Sequence, residues 1–470
     1  MTKPLALSEI DPFLAPAATF AGIVATVTDA AKIRAELIDR LVWTAVFAPD
    51  AATRDEARSR IRSIAEALGI FPWSIAELYT AMGRGEAAGF TTPAINIRAM
   101  AYDSARAAIR AAVKKDAGAL IFEIARSEIG YTDQRPAEYA TVMMAAAIRE
   151  GWRGPLFIQG DHFQTNAKKF KADPTKELEA ITGLIDEAMP AGFLNIDIDT
   201  STLVDLSKGT LEEQQKANGE NCAFITKHIR THEPKGVSVS VGGEIGEVGK
   251  TNSSPEEFRA YMSVYLASLP KGMAGISKVS IQTGTSHGGV PLPDGTVAKV
   301  NIDFDCIRKI SEVARKEYGL SGAVQHGAST LPADAFHHFP DATASEVHLA
   351  TEFQNMVYEN PALPAALKAE MYEWCRANCA DERKEGDTED QFLYKARKKA
   401  IGPFKEKLWS LPEDVRGAIG GALEAKFAFL FDQLKIGGTR AIVDRFVKPS
   451  PLPRAGSGKA SFVRDDEAGD

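Results

Sequence analysis

Three histidines of this 470-residue chain stand where apolar runs stop among small residues. His162 follows Phe157-Ile-Gln-Gly-Asp161, His287 follows Val279-Ser-Ile-Gln-Thr-Gly-Thr-Ser286, and His326 follows Ala323-Val-Gln325; a fourth run, Val239-Ser-Val-Gly-Gly-Glu244, ends on a carboxylate. A buried strand that stops on an imidazole or an acid delivers a polar group to the end of a sheet, and in parallel α/β folds those ends share one face. Neutral imidazoles from three strands are what a catalytic Zn²⁺ site requires, with one position left open for a substrate oxygen. Gly160, Gly288, Gly289 and Gly327 beside them let a ligand come close to the backbone. His228, His232, His337 and His338 lie on helical patterns or lack such neighbours, so His348, on the last apolar run, is the one further imidazole that joins the candidates.

The elements that must position these groups are legible from residue 91 onward. Short apolar runs alternate with amphipathic segments, the pattern of repeated βα units. Candidate strands fall at 94–98, 119–124, 155–159, 193–198, 237–241, 278–283, 323–325 and 346–350, with helical patterns between them. Eight such units indicate a (β/α)₈ TIM barrel, an α/β fold, over residues 89–380. No G-x-G-x-x-G follows the first strand, which disfavours a dinucleotide-binding fold. Residues 1–88 read as a helical N-terminal extension with a third helix at 72–82, and 381–447 as a helical C-terminal extension. Its basic run Lys395-Ala-Arg-Lys-Lys399 reads as a solvated helix face, and Pro, Gly, Ser and charge at 448–470 read as a disordered tail.

Composition removes several classes of function. Lys and Arg total 55 against 63 Asp and Glu, a net charge of -8, so the chain does not offer the basic field that nucleic acid needs. No apolar run reaches the roughly 20 residues of a membrane span, and the first residues lack a signal-peptide core. The expectation is a soluble cytoplasmic protein. Cys222, Cys306, Cys375 and Cys379 make neither a disulfide framework nor a metal knuckle.

Taken together, these motifs resemble the class II, metal-dependent fructose- and tagatose-bisphosphate aldolases over residues 92–355. Thr92-Pro-Ala-Ile-Asn-Ile97 is similar to the family's P-A-F-N-I strand, and Asp161-His162 to its D-H pair. Asp199-Thr-Ser201 resembles D-G-S, Glu244-Ile-Gly246 resembles E-L-G, Gly284-Thr-Ser-His-Gly288 resembles G-T-x-H-G, and His326-Gly-Ala-Ser329 resembles H-G-G-S. Val347-His-Leu-Ala-Thr-Glu352 is similar to the tagatose-type V-N-V-A-T-E. The departures are Gln159 where the family has a histidine before the acid, Glu346 and His348 where it has lysine and asparagine, and a loop at 246–254 in which Glu247 is the nearest substitute for a proton-abstracting glutamate.

The resemblance implies Zn²⁺ on His162, His287 and His326, with Glu244 as an alternative ligand; Asp197 and Asp199 alternate onto one face of the fourth strand, where one of them, Asp199 in this reading, supports a second divalent or monovalent cation. The resemblance also implies Asp161 and Glu247 as the proton-transfer residues, with Asp161 on the opposite side of its strand from His162. Asn96, Gly288, Gly327, Ser329, His348 and Thr351 would hold substrate and its phosphate. The activity implied is cleavage or formation of a ketose phosphate through a dihydroxyacetone-phosphate enediolate, in a homo-oligomer. Two alternatives stay open: Lys278 as a Schiff-base nucleophile, and a non-catalytic, chaperone-like sugar-phosphate-binding subunit on the same scaffold.

Overall fold

The computed structural model describes residues 3–246, 251–284, 302–328 and 331–452. Glu247, His287, Gly288 and Ser329, and the tail from 453 onward, lie outside the described residues. Strands β1 (Ala18–Ala21) and β2 (Val24–Val27) form an antiparallel hairpin, and β3 (Ile70–Trp73) precedes the barrel. The barrel strands are β4 (Thr92–Asn96), β5 (Ile121–Ala125), β6 (Gly154–Gln164), β7 (Asn195–Asp199), β8 (Ser240–Glu244), β9 (Lys278–Ile281), β10 (Ala323–Gln325) and β11 (Glu346–Leu349). Each overlaps an expected run. All eight pair in parallel, and the β6–β7 and β11–β4 pairs close the ring into the expected (β/α)₈ barrel.

Residues two apart on a strand face the same way. On β7, β9 and β11 one face carries Ile196 and Ile198, Val279 and Ile281, Val347 and Leu349, all buried. The opposite face carries Asp197 and Asp199, Lys278 and Ser280, Glu346 and His348, which meet side chains from other strands across the barrel interior. The apolar face packs on the helices and the polar face builds the site.

The N-terminal region departs from the helical expectation. Beyond the β1–β2 hairpin, β3 lies parallel to the first half of β6, from Ile70 opposite Gly154 to Trp73 opposite Phe157, while β6 pairs with β7 only from Gln159 onward. Asn195 stitches this seam: its Oδ1 accepts from the Ile75 amide at 2.8 Å and its Nδ2 donates to Ile158 O at 2.9 Å and Trp73 O at 3.1 Å. The helix expected at 72–82 begins only at Ala76. Pro72 misled the reading, because proline opens a helix and tolerates a short edge strand equally well.

The C-terminal extension is clamped to the barrel. Helix Glu413–Gln433 lies on helix Ala101–Lys114, where Arg110 Nε donates to Glu424 at 2.6 Å and Arg416 donates to Asp103 at 3.0 Å. Gly118 leaves room for the following helix, since a Cβ there would stand 2.9 Å from the Arg440 Cα. Thr439 Oγ1 accepts from the Gly118 and Ala119 amides. The basic run is not a plain solvated face: Arg397 is buried, pairs with Glu359 and donates to Asn355 at 2.7 Å. Cys375 and Cys379 are buried free thiols. Among the described residues, no helix is long and apolar enough to cross a membrane.

Trp409 joins all three parts. It stacks on Tyr102 of the barrel at 6.0 Å and meets Phe47 of the N-terminal region edge-on at 5.4 Å, with 3% of its surface exposed. Trp409→Ala should therefore lower unfolding free energy by about 3–5 kcal/mol in denaturant melts, the usual cost of removing a buried aromatic. A loss below about 1 kcal/mol, the level of a surface substitution, would mean that the extensions are not part of the barrel's core.

Candidate metal and active centre

Local backbone chemistry at β6 brings an acid and an imidazole to the same place. Gly160 pairs with Ile196 and Phe163 with Ile198, so two residues of β6, Asp161 and His162, oppose the single Asp197 of β7. Such a bulge redirects side chains. His162 sits at φ +40, in the left-handed region, and the Phe163 ring folds back over Gly160, where a Cβ would stand 2.5 Å from it. Asp161 and His162 therefore do not point to opposite sides as strand alternation suggests: Asp161 Oδ1 lies 3.8 Å from His162 Nε2.

Around them the strand ends supply an upper storey of imidazoles and carboxylates. The His326 ring lies between those of His162, at 4.1 Å, and His348, at 4.0 Å. Asp161 Oδ1 is 3.1 Å from His348 Nδ1 and 3.9 Å from His326 Nδ1, while Asn96 Nδ2 donates to Asp161 Oδ2 at 2.8 Å. His162 Nδ1 faces Asp199 Oδ2 at 3.0 Å and Glu244 Oε2 at 3.4 Å. Asp199 also accepts from Gln164 and from the backbone and hydroxyl of Ser201. Two groups of potential metal donors result at this level, each within 4.8 Å, Asp161 with His326 and His348, and His162 with Glu244 and His326, and a third, Glu123 with Asp197, Glu346 and His348, lies deeper.

Beneath lies a storey of buried charge. Lys278, fully buried, reaches Glu346 at 2.5 Å, Asp197 at 2.9 Å and Gln159 at 2.8 Å. Gly242 makes the space, since a Cβ there would meet Asp197 Oδ1 at 2.3 Å. Gln159 donates to Glu123 and Glu346, Tyr79 donates to Glu346, and His348 Nε2 contacts Glu346 at 2.7 Å. His348 thus links the two storeys.

Burial and charge divide the acids. Burial pushes Glu123 up to about 8, with the Asp161 charge adding to it, and lifts Asp197 to about 6 against the pull of Lys278. Burial would also raise Glu346, but Lys278 and His348 hold it down at about 2. Asp161 is likewise kept well below the usual carboxylate range, its burial outweighed by His162, His348 and Asn96. Burial works against charged His348 and His162, yet neighbouring carboxylates raise both well above the ordinary imidazole value: Glu123, Asp161 and Glu346 for His348, and Asp161, Glu244 and Asp199 for His162. Glu244 is raised by burial and by the charge of Asp199.

Residues 77–408, more than half of the chain, match the family model described as fructose-bisphosphate aldolase class-II. The chain belongs to that family. Among solved structures, a fructuronate-tagaturonate epimerase from Cohnella laeviribosi is similar at 12% identity, covering 80% of this chain and 86% of its own, with a TM-score of 0.52. A fructose-bisphosphate aldolase from Campylobacter jejuni is similar at 16% identity, covering 79% and 96%, with a TM-score of 0.47. At 12% identity the likeness to the epimerase is one of fold. No curated protein matches the sequence.

In this class-II aldolase-family barrel, Asn96, Asp161, His162, Asp199, Glu244, His326 and His348 converge. Gly327 follows His326 at φ +66, and Thr351 opens helix Thr351–Tyr358, its Oγ1 3.4 Å from Arg98 Nη1. Sequence reasoning missed Glu123, Gln159, Tyr79 and Glu128; the last accepts from Asn96, Arg98 and the Ala125 amide. For Glu123 and Gln159 the signal was a polar residue inside a buried strand, as also in Asn195-Ile-Asp-Ile-Asp199 and Lys278-Val-Ser-Ile-Gln282, whereas Tyr79 and Glu128 lie on helices Ala76–Gly83 and Arg126–Tyr131 and had no such signal. The surroundings of Lys278 disfavour a Schiff-base nucleophile, because its ammonium is buried between Glu346 and Asp197. Burial would lower its pKa, but Asp197 and Glu346 outweigh it and raise it, so the ammonium keeps the proton that a nucleophilic amine must lose. Lys278→Met should destabilise the fold by about 3–5 kcal/mol, because Asp197 and Glu346 would stay buried without a cation. In chemical melts, adding Glu346→Gln should recover part of that loss; strictly additive effects would show that the pair is not coupled.

Proposed function

We propose that this chain is a zinc-dependent aldolase that cleaves, or in reverse forms, a carbon–carbon bond of a ketose phosphate to give a dihydroxyacetone-phosphate-like fragment. The observation that supports this most is the meeting of three imidazoles with Asp161 and Glu244 at the strand ends of a class-II aldolase-family barrel. Imidazole nitrogens with one or two carboxylate oxygens are a donor set that suits Zn²⁺. A bound Zn²⁺ supplies Lewis acidity toward a carbonyl oxygen.

The remaining steps belong to the chain's own groups. Asp161, ionised and oriented by Asn96, takes the proton from the substrate hydroxyl as the carbon–carbon bond breaks and the aldehyde leaves; in synthesis it returns that proton. Asp199 fixes the orientation of His162. The turn at Gly327 and the amide end of helix Thr351–Tyr358, with the Thr351 hydroxyl, offer donors to a phosphate, a task suited to the last strands of such a barrel. Gly288 and Ser329 complete that cradle in this reading, and Glu247 is assigned the second proton transfer.

The test is a panel of ketose phosphates offered to chelator-treated protein before and after Zn²⁺ is restored, scored for dihydroxyacetone phosphate. Zn²⁺ should restore release, and Asp161→Asn should lower kcat by about 10²- to 10⁴-fold, the range of a lost general acid or base. Epimerised ketose without fragments would replace cleavage by carbonyl chemistry alone. Glu346 and His348, standing where the family motif carries lysine and asparagine, favour a second reading, a sugar-phosphate-binding subunit without turnover. Tight ligand binding with no product from any ketose would establish that reading instead.

A further inference from the structure

The two donor groups share His326, and one of them contains a residue that the aldolase motif does not supply. From this we infer that His348 is a metal ligand, and that the chain provides an inner cation position on Asp161, His326 and His348, alternative to an outer position on His162, Glu244 and His326. The inference rests on the metal-dependent reading above and adds a ligand to it.

Three features of the inner group carry it. The first is spacing. Tetrahedral bonds of about 2.0–2.1 Å separate neighbouring donors by roughly 3.3–3.4 Å. Asp161 Oδ1 stands 3.1 Å from His348 Nδ1 and 3.9 Å from His326 Nδ1, a pair of distances that brackets this value. The outer group meets it as well, with His162 Nδ1 and Glu244 Oε2 3.4 Å apart.

The second is that each inner donor is the second polar atom of a side chain whose other polar atom is fixed. Asn96 holds Asp161 Oδ2 at 2.8 Å, Ser280 Oγ lies 2.8 Å from His326 Nε2, and Glu346 lies 2.7 Å from His348 Nε2. With Ser280 and Glu346 accepting from the two Nε2–H groups, both Nδ1 atoms would turn lone pairs to a cation beside Asp161; His348 Nδ1 lies 3.1 Å from Glu123 Oε1 as well as from Asp161 Oδ1. A carboxylate behind a ligating imidazole is the outer-shell arrangement that orients such ligands and raises their basicity.

The third is support for that carboxylate. Glu346 is itself held by Lys278, Gln159 and Tyr79, so the chain keeps a buried acid that, among the described residues, meets the upper storey through His348. Because His326 serves both groups, a single cation fills one position at a time. In the inner position Asp161 is a ligand; in the outer position it is available for proton transfer.

Cobalt(II) titration of chelator-treated full-length protein tests this, with affinity read by competition against a chromophoric chelator and coordination read from the visible d–d bands. The wild type should bind one equivalent. His162→Ala should still bind one equivalent with tetrahedral bands, since the inner group does not use His162. His348→Asn, which restores the family residue, should bind more than about 100-fold more weakly and with altered bands, beyond what loss of an outer-shell partner costs. His348→Gln gives the same comparison if the asparagine variant does not fold. If His348→Asn matches the wild type in affinity and bands, or His162→Ala loses the ion altogether, the inner position is wrong while the metal-dependent reading survives. If the wild type itself binds neither cobalt nor zinc, both fall.

Discussion

The structure depends on one buried cation. An ammonium removed from water is costly unless its charge and its donors are all met, and Lys278 meets them with Glu346, Asp197 and Gln159 in the centre of the barrel. Every strand that contributes to this cluster is fixed in register by it. A one-residue slip of β9 or β11 would turn Lys278 or Glu346 toward the apolar helices and leave unmatched charges behind. The barrel interior is therefore not filled by the branched apolar side chains usual in this architecture, and it gives up some hydrophobic burial in return for fixed polar positions.

That arrangement reaches the site through His348. Its Nε2 rests on Glu346 below and its Nδ1 on Asp161 above, so the charge balance of the lower storey sets the environment of the upper one. Relative to the family motif, the sign of the residue at position 346 is reversed. Lys278 of β9 pairs with the Glu346 carboxylate. The bulge at Asp161 and His162 then turns two consecutive side chains toward the same centre, which a regular strand could not do.

Precision at such a centre demands that the strands hold their places, and the parts outside the barrel serve this. β3 fills the gap where β6 and β7 diverge, with Asn195 satisfying backbone groups on both sides of the seam. The C-terminal helices cover helix Ala101–Lys114, and Trp409 locks them to the N-terminal region. Arg397, buried among Glu359, Asn355 and the rings of Tyr358 and Tyr394, anchors the same extension.

The sequence by itself determined the barrel and the ends of its strands. Buried parallel strands must be short apolar runs, and amphipathic helices must separate them, so eight runs were legible in the sequence, with Asn96, Asp161-His162, Asp199, Glu244, His326 and His348 within or just beyond six of them. The motif order was enough to indicate the family. What only the tertiary structure decided is which polar group answers which. Glu123 and Gln159 on strands, and Tyr79 and Glu128 on helices, do not disclose their partners locally, because a polar side chain reads the same whether it meets water or an ammonium. The convergence of Asp161 with His162, the pairing of Lys278 with Glu346, and the placement of β3 depend on contacts between residues tens to hundreds of positions apart. Such contacts follow from the closing of the ring, and no window of sequence contains them.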